Sequence, residues 1–174
     1  RALIPDGAEA EGVSVGGQLV EMGLGFGPPA RPGIRRSALL LTADGAPELN
    51  GAEDSPDPAP RPLGSYLYEP EGAVIRARQI GALATRIDAG TLDQSIAYLT
   101  GDAAIQTPCA TGSRVLDTLP LNQKTIKQQL AKRRLGTLEI KKRGVDIDPA
   151  VFRRGLKLSG PESLTLILTR VDGK

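Results

Sequence analysis

The sequence predicts a mixed α/β fold of the α+β class, in which a β-hairpin precedes a larger unit of strands and helices. Short alternating segments flank a Gly-Gly pair near the start of the chain. Apolar residues recur at helical spacing beyond residue 70, and the chain closes with a β-branched and aliphatic run. The second unit is expected to contain at least four strands and about three helices.

The first predicted elements are strands. Gly12 to Val15 and Gln18 to Leu24 should pair as a hairpin, because two consecutive glycines between them supply the positive φ of a two-residue turn. Ser37 to Thr42 is predicted to be a third strand. Residues 44–64 hold five prolines and show no helical or strand period, which predicts an acidic linker. The expected organisation is therefore a hairpin part at 1–43, a linker at 44–64 and a mixed unit at 65–174.

The mixed unit begins with an extended stretch at Ser65 to Tyr68, followed by one helix. Pro70 suits the first turn of that helix, and apolar residues from Val74 to Ile87 recur at its spacing. Two short strands are expected next, at Ile96 to Thr100 and at Arg114 to Leu119.

The rest of the unit is predicted from capping signals. Asn122 is a suitable N-cap for a helix from Gln123 to about Arg134, and Gly136 is its expected C-terminal cap. Asp148, followed by a proline, should begin a short helix that runs to Leu156. Two strands complete the unit, at Thr137 to Lys142 and at Leu164 to Val171, and the second is expected to be central.

Composition excludes several classes of protein. The 174 residues include no histidine, one cysteine, Cys109, and five aromatic residues. Histidine-based triads, the usual general base and nearly all zinc sites are therefore excluded, and extended base-stacking platforms need more rings. Apolar runs are too short to cross a bilayer. A lone cysteine indicates a reducing compartment, so a cytoplasmic location without membrane partners is expected.

A near-neutral total charge of +2 hides two different halves. Residues 1–119 carry a net charge of −6, whereas residues 120–157 carry 11 Lys and Arg against three acidic residues, a net charge of +8. This asymmetry indicates a region that binds a polyanion. The alternative is a solvated helix face followed by an exposed, lysine-rich strand.

Motifs that could support catalysis are weak. The glycine-rich stretch from Gly23 to Gly27 lacks the strand–loop–helix context of a phosphate loop, since two prolines follow it. Glu9 and Glu11 should share one strand face, but no partner of catalytic type accompanies them. The Cys109 thiol has little in its sequence surroundings to activate it. We therefore predict no catalytic, cofactor-binding or metal-binding residue in this chain.

The basic segment is the most informative part of the sequence. Lys124 and Lys127 share a helix face away from the apolar positions, and Lys141, Lys142 and Arg143 end the following strand. We predict that these five residues contact nucleic-acid phosphates. A row of cations without base-reading aromatic residues favours recognition of helical shape, and hence of structured RNA.

The chain also resembles a known family. Ala2 to Glu11, with the Val13 to Gly17 stretch that follows, is similar to the end of the catalytic domain in bacterial class I S-adenosylmethionine-dependent methyltransferases. The remainder resembles their C-terminal THUMP-like domain. The stretches that carry the second resemblance are Tyr66 to Pro70, Ile96 to Thr100, Arg114 to Asp117 and, most specifically, Leu135 to Pro149.

This resemblance implies a piece of a longer protein. The hairpin would be the last pair of strands of a methyltransferase sheet, and the cofactor-binding glycine loop and catalytic motif would lie upstream. S-adenosylmethionine is accordingly implied for the full-length protein, and no cofactor or catalytic residue is transferred to this chain. THUMP-type domains are associated with RNA, mainly tRNA.

Two functions are consistent with the sequence. In the first, the chain is an RNA-binding accessory part that presents tRNA or rRNA to the upstream methyltransferase domain. In the second, it is a structural module that docks on the catalytic domain, or mediates dimerisation, without binding nucleic acid. An independent enzyme is the weakest alternative, because the chain has neither a histidine nor a coherent site.

Overall fold

A computed structural model of the chain describes residues 4–154, 156 and 158–171. Contacts divide the chain into two compact units, residues 1–115 and residues 116–174, called unit 1 and unit 2 here. Within the described residues the strands form three sheets and the helices are short. The predicted α+β class is confirmed.

Unit 1 opens with a four-stranded sheet in the order β2-β1-β3-β4. Its strands are β1 (Ala8–Val15), β2 (Gln18–Phe26), β3 (Arg36–Leu41) and β4 (Glu48–Gly51). The β1–β2 hairpin is confirmed, and Gly16 and Gly17 in its turn have φ values of 54° and 85°. β3 runs parallel to β1, and β4 pairs antiparallel with β3.

A second, antiparallel sheet in unit 1 has the order β6-β7-β5-β8. Its strands are β5 (Tyr66–Pro70), β6 (Gly90–Asp93), β7 (Ile96–Gly101) and β8 (Ala110–Arg114). The predicted strand at Arg114 to Leu119 is wrong, because β8 ends where that strand was expected to begin. β8 is short of apolar residues, so its pairing with β5 depends on tertiary contacts that periodicity does not reveal.

The single helix predicted between these strands is two short helices, α1 (Gly72–Arg76) and α2 (Ile80–Arg86). The break lies at Arg78, whose φ of 56° is left-handed and ends a helical segment. Pro70 closes β5 instead of opening a helix. Both helices contribute to one buried cluster with the two sheets, which includes Leu40, Tyr68, Val74, Leu83 and Leu99.

Residues 44–64 are attached to unit 1 by hydrogen bonds along much of their length. They include β4, which the sequence did not predict. The Gln79 side chain donates to the Glu53 carbonyl at 2.8 Å, and the Thr91 amide donates to the Ala59 carbonyl at 3.1 Å. Gly81 lets α2 approach this segment, since a Cβ there would lie 1.8 Å from the Pro56 carbonyl oxygen. The expected domain boundaries stay a prediction.

Unit 2 contains α3 (Gln123–Ala131), β9 (Leu135–Arg143), α4 (Pro149–Arg153) and β10 (Glu162–Thr169). Both predicted N-caps are confirmed. Asn122 Oδ1 accepts from the Thr125 amide at 3.0 Å, and Asp148 Oδ1 accepts from the Ala150 amide at 2.8 Å. Leu130, Leu138, Phe152 and Leu168 belong to the buried cluster of this unit, because each projects from an apolar helix or strand face.

Two predictions for unit 2 are wrong. Gly136 lies inside β9 rather than at the end of α3, whose C-cap is Lys132. A Cβ on Gly136 would lie 2.0 Å from the Gly160 carbonyl oxygen, so close chain approach explains this glycine. β10 was expected to be a central strand. Among the described residues it pairs in parallel with β9 alone, so it is an edge strand of a two-stranded sheet.

Candidate nucleic-acid interface

Helix α3 presents two predicted contact residues on its outer side. Ile126 and Leu130 are buried in the unit 2 cluster, whereas Lys124 is exposed and Lys127 is half-buried. Lysines three positions apart lie on the same side of a helix. The prediction that Lys124 and Lys127 share a face away from the core therefore agrees with this geometry.

The end of α4 lies beside this helix face. Lys127 Nζ donates to the Arg154 carbonyl oxygen at 3.3 Å. Arg153 and Arg154 are exposed, so the contact adds two arginines to the two lysines. We call Lys124, Lys127, Arg153 and Arg154 the α3–α4 basic surface. Both arginines contribute to the predicted charge of residues 120–157, but the sequence did not predict that they are contact residues.

Strand β9 separates the other three predicted residues. Side chains alternate along a strand, so Lys142 follows Leu138 and Ile140 on the face that packs against the buried cluster. Lys141 and Arg143 lie on the opposite face together with Glu139, whose carboxylate is 3.8 Å from Lys141 Nζ. The five predicted residues therefore do not share one face, and part of the charge on β9 is balanced.

A second charged cluster lies in unit 1, on the face of the first sheet that carries Glu9, Glu11 and Glu48. The loop after β2 places Arg31 over these carboxylates. Arg31 Nε donates to Glu9 Oε1 at 3.0 Å, and Nη1 donates to Glu48 Oε2 at 3.0 Å. Ser37 Oγ completes the network, because it lies 3.0 Å from Glu11 Oε1 and 2.6 Å from Glu48 Oε1 and can donate its one proton to either carboxylate.

The electrostatics of this cluster follow from Arg31. Its hydrogen bonds hold the pKa of Glu9 below its usual value, although burial opposes the shift. The same guanidinium lowers the pKa of Glu48 to about 2. In return, the hydrogen bonds that Arg31 donates to Glu9 and Glu48 raise the pKa of Arg31. Glu9, Glu48 and Arg31 are therefore charged at neutral pH, and Glu11 Oε1 lies 3.6 Å from Arg31 Nη2.

Three carboxylates with oxygens within 4.8 Å of one another could hold a cation. Here Arg31 already supplies the positive charge between them, so the arrangement is a structural ion-pair network. Glu9 and Glu11 share one strand face, as the sequence predicted. The glycine-rich stretch lies in β2 and the turn after it, and Cys109 is 1% exposed.

Edge strand β2 exposes a row of apolar side chains. Four apolar residues are 45% to 59% exposed, namely Val20, Met22, Leu24 and Phe26. The last three alternate along one face of the strand, and Val20 lies at the register shift between β2 and β1. β2 pairs only with β1 among the described strands, so its second edge also has unpaired backbone groups. Such a row on an unpaired edge is typical of a surface that another chain segment covers.

Comparison with known proteins relates the chain to methyltransferases. Residues 110–174 match the family described as THUMP domain-like. The chain is 36% identical over 163 residues to uncharacterized S-adenosylmethionine-dependent methyltransferases of two Mycobacterium tuberculosis strains, CDC 1551 / Oshkosh and H37Rv. The alignment covers 94% of this chain and 44% of each relative. The resemblance to S-adenosylmethionine-dependent methyltransferases is confirmed.

The THUMP-like match begins in β8 of unit 1 and includes all of unit 2, while residues 65–109 lie outside it. The fold is also found in the crystal structure of a "putative methyltransferase from Porphyromonas gingivalis", with a TM-score of 0.70 and 18% identity. That similarity covers 94% of this chain and 42% of the solved chain. This chain thus spans less than half the length of the proteins it matches.

None of the helices that the structure describes is both long enough and apolar enough to span a lipid bilayer.

Proposed function

We propose that this chain is an RNA-binding accessory part of an S-adenosylmethionine-dependent methyltransferase, and that it presents structured RNA such as tRNA or rRNA to a catalytic domain upstream. The observation that carries the proposal is the α3–α4 basic surface. It lies within the THUMP-like match, and three of its four basic residues are exposed.

The geometry supports phosphate contacts at this surface. Lys124, Arg153 and Arg154 are exposed, and Lys127 Nζ donates to the Arg154 carbonyl at the end of α4. Lysine and arginine side chains on neighbouring helices can neutralise phosphates without reading bases. Lys141, Lys142 and Arg143 would contact RNA from the strand, as a second and separate set.

The catalytic side of the proposal rests on the relatives. S-adenosylmethionine would be bound by the full-length protein, outside these residues, and methyl transfer would occur there. We place the protein in the bacterial cytoplasm, in keeping with its single buried cysteine.

The proposal is tested by tRNA binding at several salt concentrations. The variant Lys124→Glu/Lys127→Glu should bind tRNA at least tenfold more weakly than the unchanged chain at low salt. If both lysines contact phosphates, the slope of log K against log salt should also fall by about 1.4 to 1.8. Fluorescence anisotropy with labelled tRNA, and with duplex DNA for comparison, measures both quantities.

The matched control is Arg76→Glu/Arg86→Glu, which makes the same change in net charge on exposed helix positions of unit 1. It should weaken binding much less. The variant Lys141→Glu/Lys142→Glu measures, in the same assay, how much the basic residues of β9 contribute to tRNA binding. Unchanged tRNA binding by Lys124→Glu/Lys127→Glu, or an equal loss in the unit 1 control, would contradict the proposed surface.

A second candidate function is favoured by strand β2. Its exposed apolar row and unpaired edge suit a module that docks on the catalytic domain by extending a sheet. Docking and RNA binding use different units, so this function does not require nucleic acid.

A further inference from the structure

Unit 1 contains an open pocket at one end of its second sheet. It has a volume of about 590 Å³ and is lined by Leu63, Gly64, Ser65, Tyr66, Asp102, Arg114 and Val115. A volume of this size falls within the usual range of small-molecule sites, roughly 300 to 1,000 Å³. The proposed RNA contacts lie in unit 2, so the pocket needs its own explanation.

Tyr66 and Arg114 are cross-strand partners in this pocket. They face each other in the antiparallel register of β5 and β8, so their side chains lie on the same face of the sheet. Arg114 is exposed, and no described residue forms an ion pair or side-chain hydrogen bond with it. Its guanidinium is therefore available for an anion.

The ring of Tyr66 is held in place from one side. It stacks on Tyr68 with ring centroids 6.5 Å apart and an interplanar angle of 30°. Tyr68 is itself buried, and its hydroxyl accepts from the Ile105 amide at 2.9 Å. Tyr66 is half-buried, so part of a fixed aromatic surface remains beside a free guanidinium.

The acidic residue of the pocket does not cancel this charge. Asp102 Oδ2 accepts from Arg61 Nη2 at 2.6 Å, and Oδ1 accepts from the Ser65 amide at 3.2 Å. Arg61 thus balances Asp102, and the charge of Arg114 remains. An aromatic ring next to an uncompensated arginine is suited to a base stacked on the ring and a phosphate held by the guanidinium.

We propose that this pocket binds a nucleotide unit, with its phosphate on Arg114 and its base against Tyr66. The proposal is independent of RNA binding by unit 2. Tyr66 and Arg114 lie in stretches that carry the family resemblance, and the proposal gives these two side chains a binding role that the charge pattern does not assign.

Calorimetric titration with uridine 5′-monophosphate tests the proposal, with inorganic phosphate and uridine as partial ligands. We expect the nucleotide to bind at least tenfold more tightly than either part. Arg114→Gln should weaken nucleotide binding about tenfold, because a charge-assisted contact to phosphate is lost. Tyr66→Leu should remove the advantage of the nucleotide over inorganic phosphate.

Arg86→Gln, at an exposed position of α2, is the matched control and should bind the nucleotide normally. Lys124→Glu/Lys127→Glu should also bind it normally, which separates this proposal from RNA binding by unit 2. Thermal melting followed by circular dichroism shows whether each variant is folded. If Tyr66→Leu does not fold, the proposal is tested by the affinity of Arg114→Gln for the nucleotide and by the comparison of nucleotide with inorganic phosphate.

A short oligouridine distinguishes the source of the ligand. Binding at least tenfold tighter than the monophosphate assigns the pocket to an RNA strand, and equal binding assigns it to a free nucleotide. Equal affinity for nucleotide and inorganic phosphate, or an unchanged affinity in Arg114→Gln, would overturn the proposal.

Discussion

Arg31 is the residue on which the polar face of the first sheet depends. Its side chain contacts Glu9 and Glu48, and Glu9 is only 5% exposed although it is charged. Removing the cation leaves a buried carboxylate without its counter-charge. A partner lost from a fully buried pair costs about 3–5 kcal/mol, and the 41% exposure of the Arg31 side chain reduces that cost.

We therefore expect Arg31→Leu to lower the free energy of unfolding by about 2 kcal/mol at pH 7. The control Arg35→Leu removes a pair with the fully exposed Asp6 and a hydrogen bond to the Ile4 carbonyl, and it should cost clearly less than Arg31→Leu. Urea unfolding followed by circular dichroism measures both. Equal effects of the two variants would show that the Arg31 network stabilises the chain no more than the surface contacts of Arg35 do.

The same network gives a pH dependence with a defined sign. Glu9 and Glu48 have folded-state pKa values below their unfolded ones, and that of Glu48 is about 2. Their contribution is thus complete above about pH 4.5 and is lost as the pH falls towards 2. The difference in stability between the unchanged chain and Arg31→Leu should shrink over this window. A constant difference from pH 7 to pH 2.5 would argue against the pairing.

At the scale of the element, local signals in the sequence were reliable. The Gly16–Gly17 turn and the caps at Asn122 and Asp148 need only neighbouring residues, and the structure confirms all three. Elements that depend on distant partners were missed. β4 and β8 have too few apolar residues to show a period, and the break at Arg78 lies inside a helical pattern.

For the candidate site, too, the sequence predicted what depends on neighbouring residues and missed what depends on distant ones. The sequence identified the basic segment and the helix face of Lys124, which follow from charge and periodicity. It could not show that Arg154 lies beside α3, since that contact joins positions 27 residues apart. Nor could it show Arg31 over the three glutamates, because a loop arginine carries no periodic signal.

The start of β9 and the chain before β10 meet at two glycines, and this contact predicts a severe substitution. A Cβ on Gly160 would lie 1.5 Å from the Arg134 carbonyl oxygen. Gly160→Ala should therefore destabilise unit 2 by about 3 kcal/mol, because backbone has to move. Gly23→Ala is the control, since its Cβ would meet only the Glu21 carboxylate at 4.0 Å. Thermal melting measures the stability of both variants. An unchanged melting temperature in Gly160→Ala would contradict the close approach of the two chain segments.

At the scale of the whole molecule, the exposed row of β2 makes a prediction about the longer protein. If an upstream domain covers that row, Leu24→Lys should leave the melting temperature of this chain nearly unchanged, because Leu24 is 55% exposed here. The same substitution should lower the melting temperature of the full-length protein by several degrees. A buried charge without a partner is costly, whereas an exposed one is not.

Gln18→Lys, at an exposed position of the same strand, is the control and should be neutral in both proteins. If Leu24→Lys is also neutral in the full-length protein, β2 is not a docking surface. RNA binding by unit 2 would then remain as the proposed function, and the nucleotide pocket of unit 1 would be unaffected by this result.

The two sheets of unit 1 share one core, which determines what happens when the chain is cut between them. Leu40 of the first sheet and Leu99 of the second belong to the same buried cluster, and the proline-rich segment between the sheets is hydrogen-bonded to α2 and β6. A protease cut near Pro56 would break the covalent chain but not these contacts. The two halves should therefore co-purify as a non-covalent complex, and expression of either half alone should give insoluble material.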